Sequence, residues 1–130
     1  KVLNPEKNDL KEIVYDLTGG RGLDSVIDCT GSENAIKSGL DILKVRGKFI
    51  FVGVCTELTI NTYDQIISKE IEMSGSRNFN ENELEEIIEF TRKNSKINDI
   101  ITHRFKFSKA KEAFEIADQR NGIKIILVSQ

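Results

Sequence analysis

Apolar positions recur at two alternating periods along this chain, one helical and one strand-like. Leu10, Ile13, Val14 and Leu17 fall at i, i+3, i+4 and i+7, which predicts one face of a helix. Asp9 with Glu12 three residues on fits a capping box at its start. Gly19 and Gly20 stop it, because glycine takes the left-handed position after a helix cheaply. Residues 24–28 read as a short buried strand, closed by Thr30, Gly31 and Ser32, with Ser32 as the next N-cap. Ala35, Ile36, Leu40 and Leu43 give a second helix its apolar stripe, and Gly47 is expected to break it. Residues 48–54 are continuously apolar after Lys48, the pattern of a strand covered on both faces. A short helix over 62–69 is expected to bury Tyr63, Ile66 and Ile67, and 71–76 is the third strand.

The alternation continues to the C-terminal end. Asn80 and Glu83 form a second cap pair before a helix with Leu84, Ile87, Ile88 and Thr91 on one face. Residues 94–99 are the one linker-like stretch, and 100–107 read as extended. Ser108 is expected to cap a helix with Ala110, Ala113, Phe114 and Ala117 inward; Gly122 ends it, and 123–128 form a last strand. Strands separated by helices favour βαβ units and a parallel sheet, so the fold class is α/β, with helices on both faces.

Composition narrows the class without naming a chemistry. With glycine counted, about 45% of the 130 residues are apolar, an ordinary globular share that argues against disorder. One proline excludes a collagen-like chain, and two cysteines exclude a disulfide scaffold. Nineteen Lys and Arg stand against 21 Asp and Glu, which gives no pull toward nucleic acid or an anionic membrane. No apolar run of about 18 residues exists for a membrane span. Cys29 and Cys55 fit a reducing compartment, so the expected location is cytoplasmic. Lys1 stands where a start methionine would be, and residues 1–5 lack a signal-peptide pattern. A cloned segment or a piece of a larger protein is expected.

In an open parallel sheet, ligands bind beyond the carboxyl ends of the strands. Three groups sit there: Cys29, Thr30 and Gly31; Gly53 and Val54; Ser76, Arg77 and Asn78. Glycine at such a place lets a flat ligand approach the backbone, and it equally serves a plain strand-to-loop turn. The phosphate loops G-x-x-x-x-G-K-[ST] and G-x-G-x-x-G do not occur. Gly19, Gly20 and Gly22 follow a helix and precede a strand, whereas a phosphate cradle needs the opposite order. His103 is the sole histidine, and the two cysteines have no zinc-ligand spacing. The acidic run 81–89 alternates with Leu84, Ile87 and Ile88 and reads as a solvated helix face. Lys124, at the start of the last strand, can serve an anion as a point charge or stand as a solvated lysine.

The order of motifs resembles the medium-chain, zinc-type alcohol dehydrogenases and their polyol and threonine dehydrogenase relatives. The matching residues are Val2-Leu3-Asn4-Pro5, Leu10-Lys11-Glu12-Ile13, Thr18-Gly19-Gly20-Arg21-Gly22-Leu23-Asp24 and Val26-Ile27-Asp28-Cys29-Thr30-Gly31-Ser32. They continue with Gly47-Lys48, Phe51-Val52-Gly53-Val54, Lys69-Glu70-Ile71, Gly75-Ser76, Ile101-Thr102-His103-Arg104-Phe105, Glu112-Ala113-Phe114 and Ile123-Lys124. Order and spacing over nearly the whole chain carry the resemblance. It departs from the family where a Pro-Leu pair often follows His-Arg-Phe; Lys106-Phe107 stand there instead.

The resemblance implies a C-terminal portion of such an enzyme. Residues 1–77 would be the second half of a doubly wound, Rossmann-type dinucleotide-binding domain. Residues 78–130 would be an α/β segment returning to the catalytic domain. The catalytic domain with its zinc ligands, the first strand and the glycine-rich turn would lie outside this chain. Family roles carried over place Cys29, Thr30 and Gly31 along the cofactor, near its adenosine and nicotinamide ribose. The backbone of Val52, Gly53 and Val54 would face the nicotinamide, Ser76 and Asn78 would offer main-chain groups to its carboxamide, and Lys124 would neutralise the pyrophosphate. The cofactor would be NAD or NADP, with zinc in the complete protein, and the substrate an alcohol or carbonyl compound. No catalytic or metal-binding residue is assigned within this chain, which alone is expected to be inactive. Strand 71–76, bounded by Ile71 and Ser76, is where members of the family commonly pair between subunits, so a homo-oligomer is expected. Alternatives are a zinc-free quinone or enone reductase of the same superfamily, or a stand-alone binding or assembly module.

Overall fold

The computed structural model describes residues 1–129 and resolves into two compact units, divided between Asn78 and Phe79. In the first, α1 (Leu10–Thr18) starts where the Asp9 carboxylate accepts the Glu12 amide at 3.0 Å. It stops at Gly19, whose φ of 61° is the left-handed conformation expected of that glycine. Strand β1 (Leu23–Asp28), helix α2 (Glu33–Asp41), strand β2 (Leu43–Phe51), a five-residue helical turn (Tyr63–Ile67) and strand β3 (Glu72–Gly75) follow. The strands form a parallel sheet in the order β1-β2-β3.

Register fixes both the core and the level at which the strands end. Val26, Phe49 and Met73 stand side by side across the sheet. Phe49, Ile36 and Leu40 are fully buried, so α2 lies on the face that this row presents. Gln65 and Lys69 hold the helical turn to the end of α2: Gln65 donates to the Asp41 carboxylate, and Lys69 Nζ donates to the carbonyls of Leu40 and Asp41. Burial pulls the Lys69 pKa down, and the nearby Asp41 charge opposes that shift. The opposite row, Ile27, Ile50 and Ser74, is more open, with Ile27 62% exposed. Within this unit, helices therefore cover one face where both were expected.

Boundaries shift around α2 and β2. Leu43 opens β2 instead of closing α2, and Gly47 lies inside the strand. Between Leu23 and Ser25 the pairing jumps from Leu43 to Lys48, and the intervening residues loop out with Arg46 at φ 60°. Arg46 is held there by its own amide donating to the Lys69 carbonyl at 2.7 Å and by an ion pair with Glu70. At the other end β2 stops at Phe51, so Val52, Gly53 and Val54 are loop. The Ser32 side chain makes no cap bond; its amide instead donates to Thr30 Oγ1 at 3.0 Å.

The second unit contains α3 (Leu84–Lys93), β4 (Ile101–Lys106), α4 (Ala110–Asp118) and β5 (Lys124–Val128), with β4 and β5 parallel. Short helical turns span Glu81–Glu83, Ser95–Ile100 and Phe107–Lys109. The Asn80 amide donates to the Glu83 carboxylate at 3.0 Å, as the cap pair requires. Ala113 packs inward, whereas Phe114, expected inward, is 70% exposed. Ser108 lies within the preceding turn and Lys109 stands at the N-cap of α4, so the expected serine cap is absent. The helix ends at Asp118 with Gln119 as its C-cap, and Arg120 follows in the left-handed region with φ 55°, so the stop comes before Gly122, which was expected to end it. Among the described residues no helix is long and apolar enough to cross a membrane.

Candidate functional site

Asp28, Phe51 and Gly75 sit opposite one another in register, so β1, β2 and β3 end at one level. The three segments that leave them are Cys29 to Gly31, Val52 to Val54, and Ser76 to Asn78. Eight of the nine residues expected at the ligand edge are thereby placed side by side along the carboxyl ends of the sheet. Ser76 is tied to its neighbour, its amide donating to the Phe51 carbonyl at 2.8 Å. Asn78 adopts φ 56°, a left-handed conformation that asparagine tolerates better than most side chains. Cys29, Thr30, Val52, Val54, Ser76 and Asn78 are exposed, and Gly31 and Gly53 are half-buried. The ninth residue, Lys124, belongs to the second unit, where it opens β5 opposite Ile101 with its side chain exposed.

The two glycines serve each other. A Cβ built on Gly31 would lie 2.1 Å from the Val54 carbonyl oxygen, and one on Gly53 would lie 2.2 Å from the Gly31 nitrogen. The room they leave is thus filled by the facing loop's backbone, which locks the β1 and β2 loops together.

Asp28 holds that junction from below, a role that the sequence reading did not assign to it. Its side chain is 5% exposed. The carboxylate accepts the Thr30 amide at 3.0 Å, the Thr30 hydroxyl at 2.6 Å and the Gly31 amide at 3.0 Å. Its main-chain carbonyl accepts the amides of Val52 at 2.8 Å and Gly53 at 2.9 Å. The bond to the Thr30 amide is an Asx-turn, which an aspartate at the end of a strand followed by a loop can form with the backbone two residues on. Burial pushes the Asp28 carboxyl up, and the hydrogen bonds from Thr30 and Gly31 outweigh it, leaving the pKa below its ordinary value of 3.8.

A depressed folded-state pKa stabilises the fold above the unfolded value and loses that contribution as pH falls through the folded value. The stability advantage of wild type over Asp28→Asn is therefore expected to be full at neutral pH and to shrink below about pH 4. Urea unfolding of both proteins across this range checks it; an advantage independent of pH would contradict the assignment.

Cys29 and Cys55 are free thiols. His103 is half-buried in β4, with Nδ1 3.0 Å from Thr102 Oγ1 and its ring stacked on Phe105. Among the described residues no group of three or more His, Cys, Asp or Glu side chains comes together to hold a metal ion.

A parallel α/β sheet with a loop-built edge at its carboxyl ends belongs to the class of open α/β folds that take ligands in the crevice there. Comparison with known proteins narrows it. Residues 1–93 match the family described as zinc-binding dehydrogenase. Sorbitol dehydrogenase of Halalkalibacterium halodurans is 30% identical over 129 residues, covering 97% of this chain and 37% of that protein. D-arabitol-phosphate dehydrogenase of Enterococcus avium is 30% identical over 130 residues, covering 98% and 37%. An alcohol dehydrogenase structure from Thermotoga maritima superposes with a TM-score of 0.85 at 24% identity, covering 96% of this chain and 36% of that one. The chain belongs to the medium-chain, zinc-type dehydrogenase family and matches its C-terminal portion. It spans about 37% of the length of the curated relatives it matches, and its fold is of the Rossmann type.

Proposed function

We propose that this chain forms the nicotinamide-side portion of an NAD(P)-dependent alcohol or polyol dehydrogenase, with zinc held by residues outside it. The alignment of eight candidate residues along one strand-end edge supports this reading most strongly. The edge suits a nicotinamide nucleotide in its chemistry: polar, exposed Ser76 and Asn78 lie on the same margin as exposed Val52 and Val54. The apolar pair would lie under a flat ring, and main-chain groups of the β3 loop would orient its amide. Such a cofactor accepts or gives hydride, and zinc polarises the alcohol oxygen. Cys29, Thr30 and Gly31 would position the ribose. Lys124 would meet the pyrophosphate as a fixed cation. On this reading the chain supplies binding and orientation, and no residue in it is assigned to proton transfer, so alone it would not turn over an alcohol. Two copies would pair through the free edge of β3, and the free thiols suit a cytoplasmic setting.

Titrating the isotope-labelled chain with NAD+ and following backbone amides by NMR tests the reading. Binding at about millimolar affinity is expected, because half of a dinucleotide site is engaged. The shifted amides should be those of the three loops. Shifts elsewhere, or none, would contradict it. In a chimera carrying the remaining two-thirds of a relative, Lys124→Ala is expected to weaken NAD+ binding by about 1–2 kcal/mol, the worth of a charge-assisted hydrogen bond. Unchanged binding by cofactor fluorescence would remove Lys124 from the site.

A further inference from the structure

Asp28 is too buried to touch a ligand, yet it contacts both loops that would. Its carboxylate gathers three donors from Thr30 and Gly31, and its carbonyl gathers two from Val52 and Gly53. No backbone amide among those four is left to chance: each is aimed by one residue at the end of β1. The glycine contacts between the loops leave no slack, since the Gly31 and Gly53 backbones already approach as closely as missing Cβ atoms allow. A change at Asp28 must therefore be transmitted to both loops together.

We propose that Asp28 is the positioning residue of the cofactor edge: it sets the spacing between the Thr30–Gly31 and Val52–Gly53 backbones across which a nicotinamide nucleotide lies. The inference rests on the dehydrogenase reading above and adds a residue that acts through others. It makes a specific distinction. A residue that merely stabilises the unit would weaken cofactor binding only as far as it unfolds the protein. A positioning residue weakens binding in the fraction that remains folded, because loop backbones that are intact but displaced no longer match the shape of the ligand.

Three variants of the full chain separate these cases: Asp28→Asn, Thr30→Val and, as a control, Val14→Ala, which opens a gap in α1 remote from the strand ends. Each is titrated with NAD+ by amide NMR at a temperature where thermal unfolding shows it folded. Asp28→Asn keeps the shape but loses the charge and one acceptor; it is expected to raise the dissociation constant at least fivefold and to move the Val52 and Gly53 amides before ligand is added. Thr30→Val removes the hydroxyl that donates to Asp28 and accepts the Ser32 amide. It is expected to give a two- to threefold rise and to move the Val52 and Gly53 amides before ligand is added, which loss of a direct ligand contact would not do, and this keeps the test open if Asp28→Asn fails to fold. Val14→Ala should bind like wild type even where its melting temperature is lowered as far. Binding by Asp28→Asn or Thr30→Val that matches the Val14→Ala control would overturn the proposal while leaving the dehydrogenase reading intact. A wild-type chain without shifts at the three loops would overturn that reading, and the Asp28 role with it.

Discussion

Gly53→Ala is expected to destabilise the first unit by about 3 kcal/mol, the upper end of ordinary overpacking. The added methyl would lie 2.2 Å from the Gly31 nitrogen and 2.7 Å from the Thr30 nitrogen and carbonyl carbon. All three are backbone atoms, so no side chain can swing aside. The loops must separate, and the Gly53 amide that donates to Asp28 at 2.9 Å is drawn away with them. The effect is one of space, because Gly53 is not among the glycines with positive φ. Gly75 supplies the contrast: nothing lies within 4 Å of a Cβ built there. Gly75→Ala should stay within about 0.5 kcal/mol of wild type. Urea midpoints of the two variants check the pair, and equal midpoints would contradict the interlocked loops.

Phe49→Ala is expected to cost about 3–5 kcal/mol, as for other buried aromatic truncations. Phe49 is fully buried among Ile36, Leu40 and Leu43, and its ring lies 4.7 Å from that of Phe51, tilted by 47°. These four residues form the buried cluster, and partly buried Val26, Phe51, Ile71 and Met73 pack around it, so the truncation opens its cavity at the centre of the unit's core. A domain holds only about 5–15 kcal/mol in total, and a small one sits low in that range. The variant should therefore lose its cooperative thermal transition in the first unit at modest temperature. Phe114→Ala, at a residue 70% exposed, should leave the melting curve almost unchanged. A Phe49→Ala protein that melts like Phe114→Ala would refute the core assignment.

Much of this was legible in the sequence because local chemistry and tertiary packing agree. The helix from Leu10 carries its cap at Asp9 and its stop at Gly19, and both act as local rules require. Parallel strands followed from strand–helix alternation, and the candidate edge was placed where parallel strands end. The misreadings fall where a pattern has two physical solutions. Leu43 lies three residues after Leu40 and so extends a helical stripe, yet α2 ends at Asp41 and Leu43 is buried as the first residue of β2. Gly47 suggested a break, whereas the left-handed turn is made by Arg46, held by Lys69 and Glu70 from distant sequence. Arg120 likewise displaced Gly122; a Cβ on Gly122 would press within 3.1 Å of His103, Thr102 and Ile125, so that glycine is needed for close packing. Phe114 shares the apolar stripe of α4, but the helix turns Ala113 inward. Asp28 was read only as the last residue of a short buried strand, and the loop partners that its carboxylate and carbonyl gather come from the folded arrangement of two segments.

The central claim is that this chain carries cofactor seating and orientation, and that the chemistry lies outside it. Replacing the matching 37% of the Halalkalibacterium sorbitol dehydrogenase with this chain tests that division most directly. Alcohol-dependent NAD(P) reduction would be measured with zinc for the chimera and for the isolated chain, after each is shown to be folded. The expected result is turnover by the chimera, lost on zinc removal, and none above background by the isolated chain. Turnover by the isolated chain, or a folded, zinc-loaded chimera that neither binds nor reduces the cofactor, would contradict it.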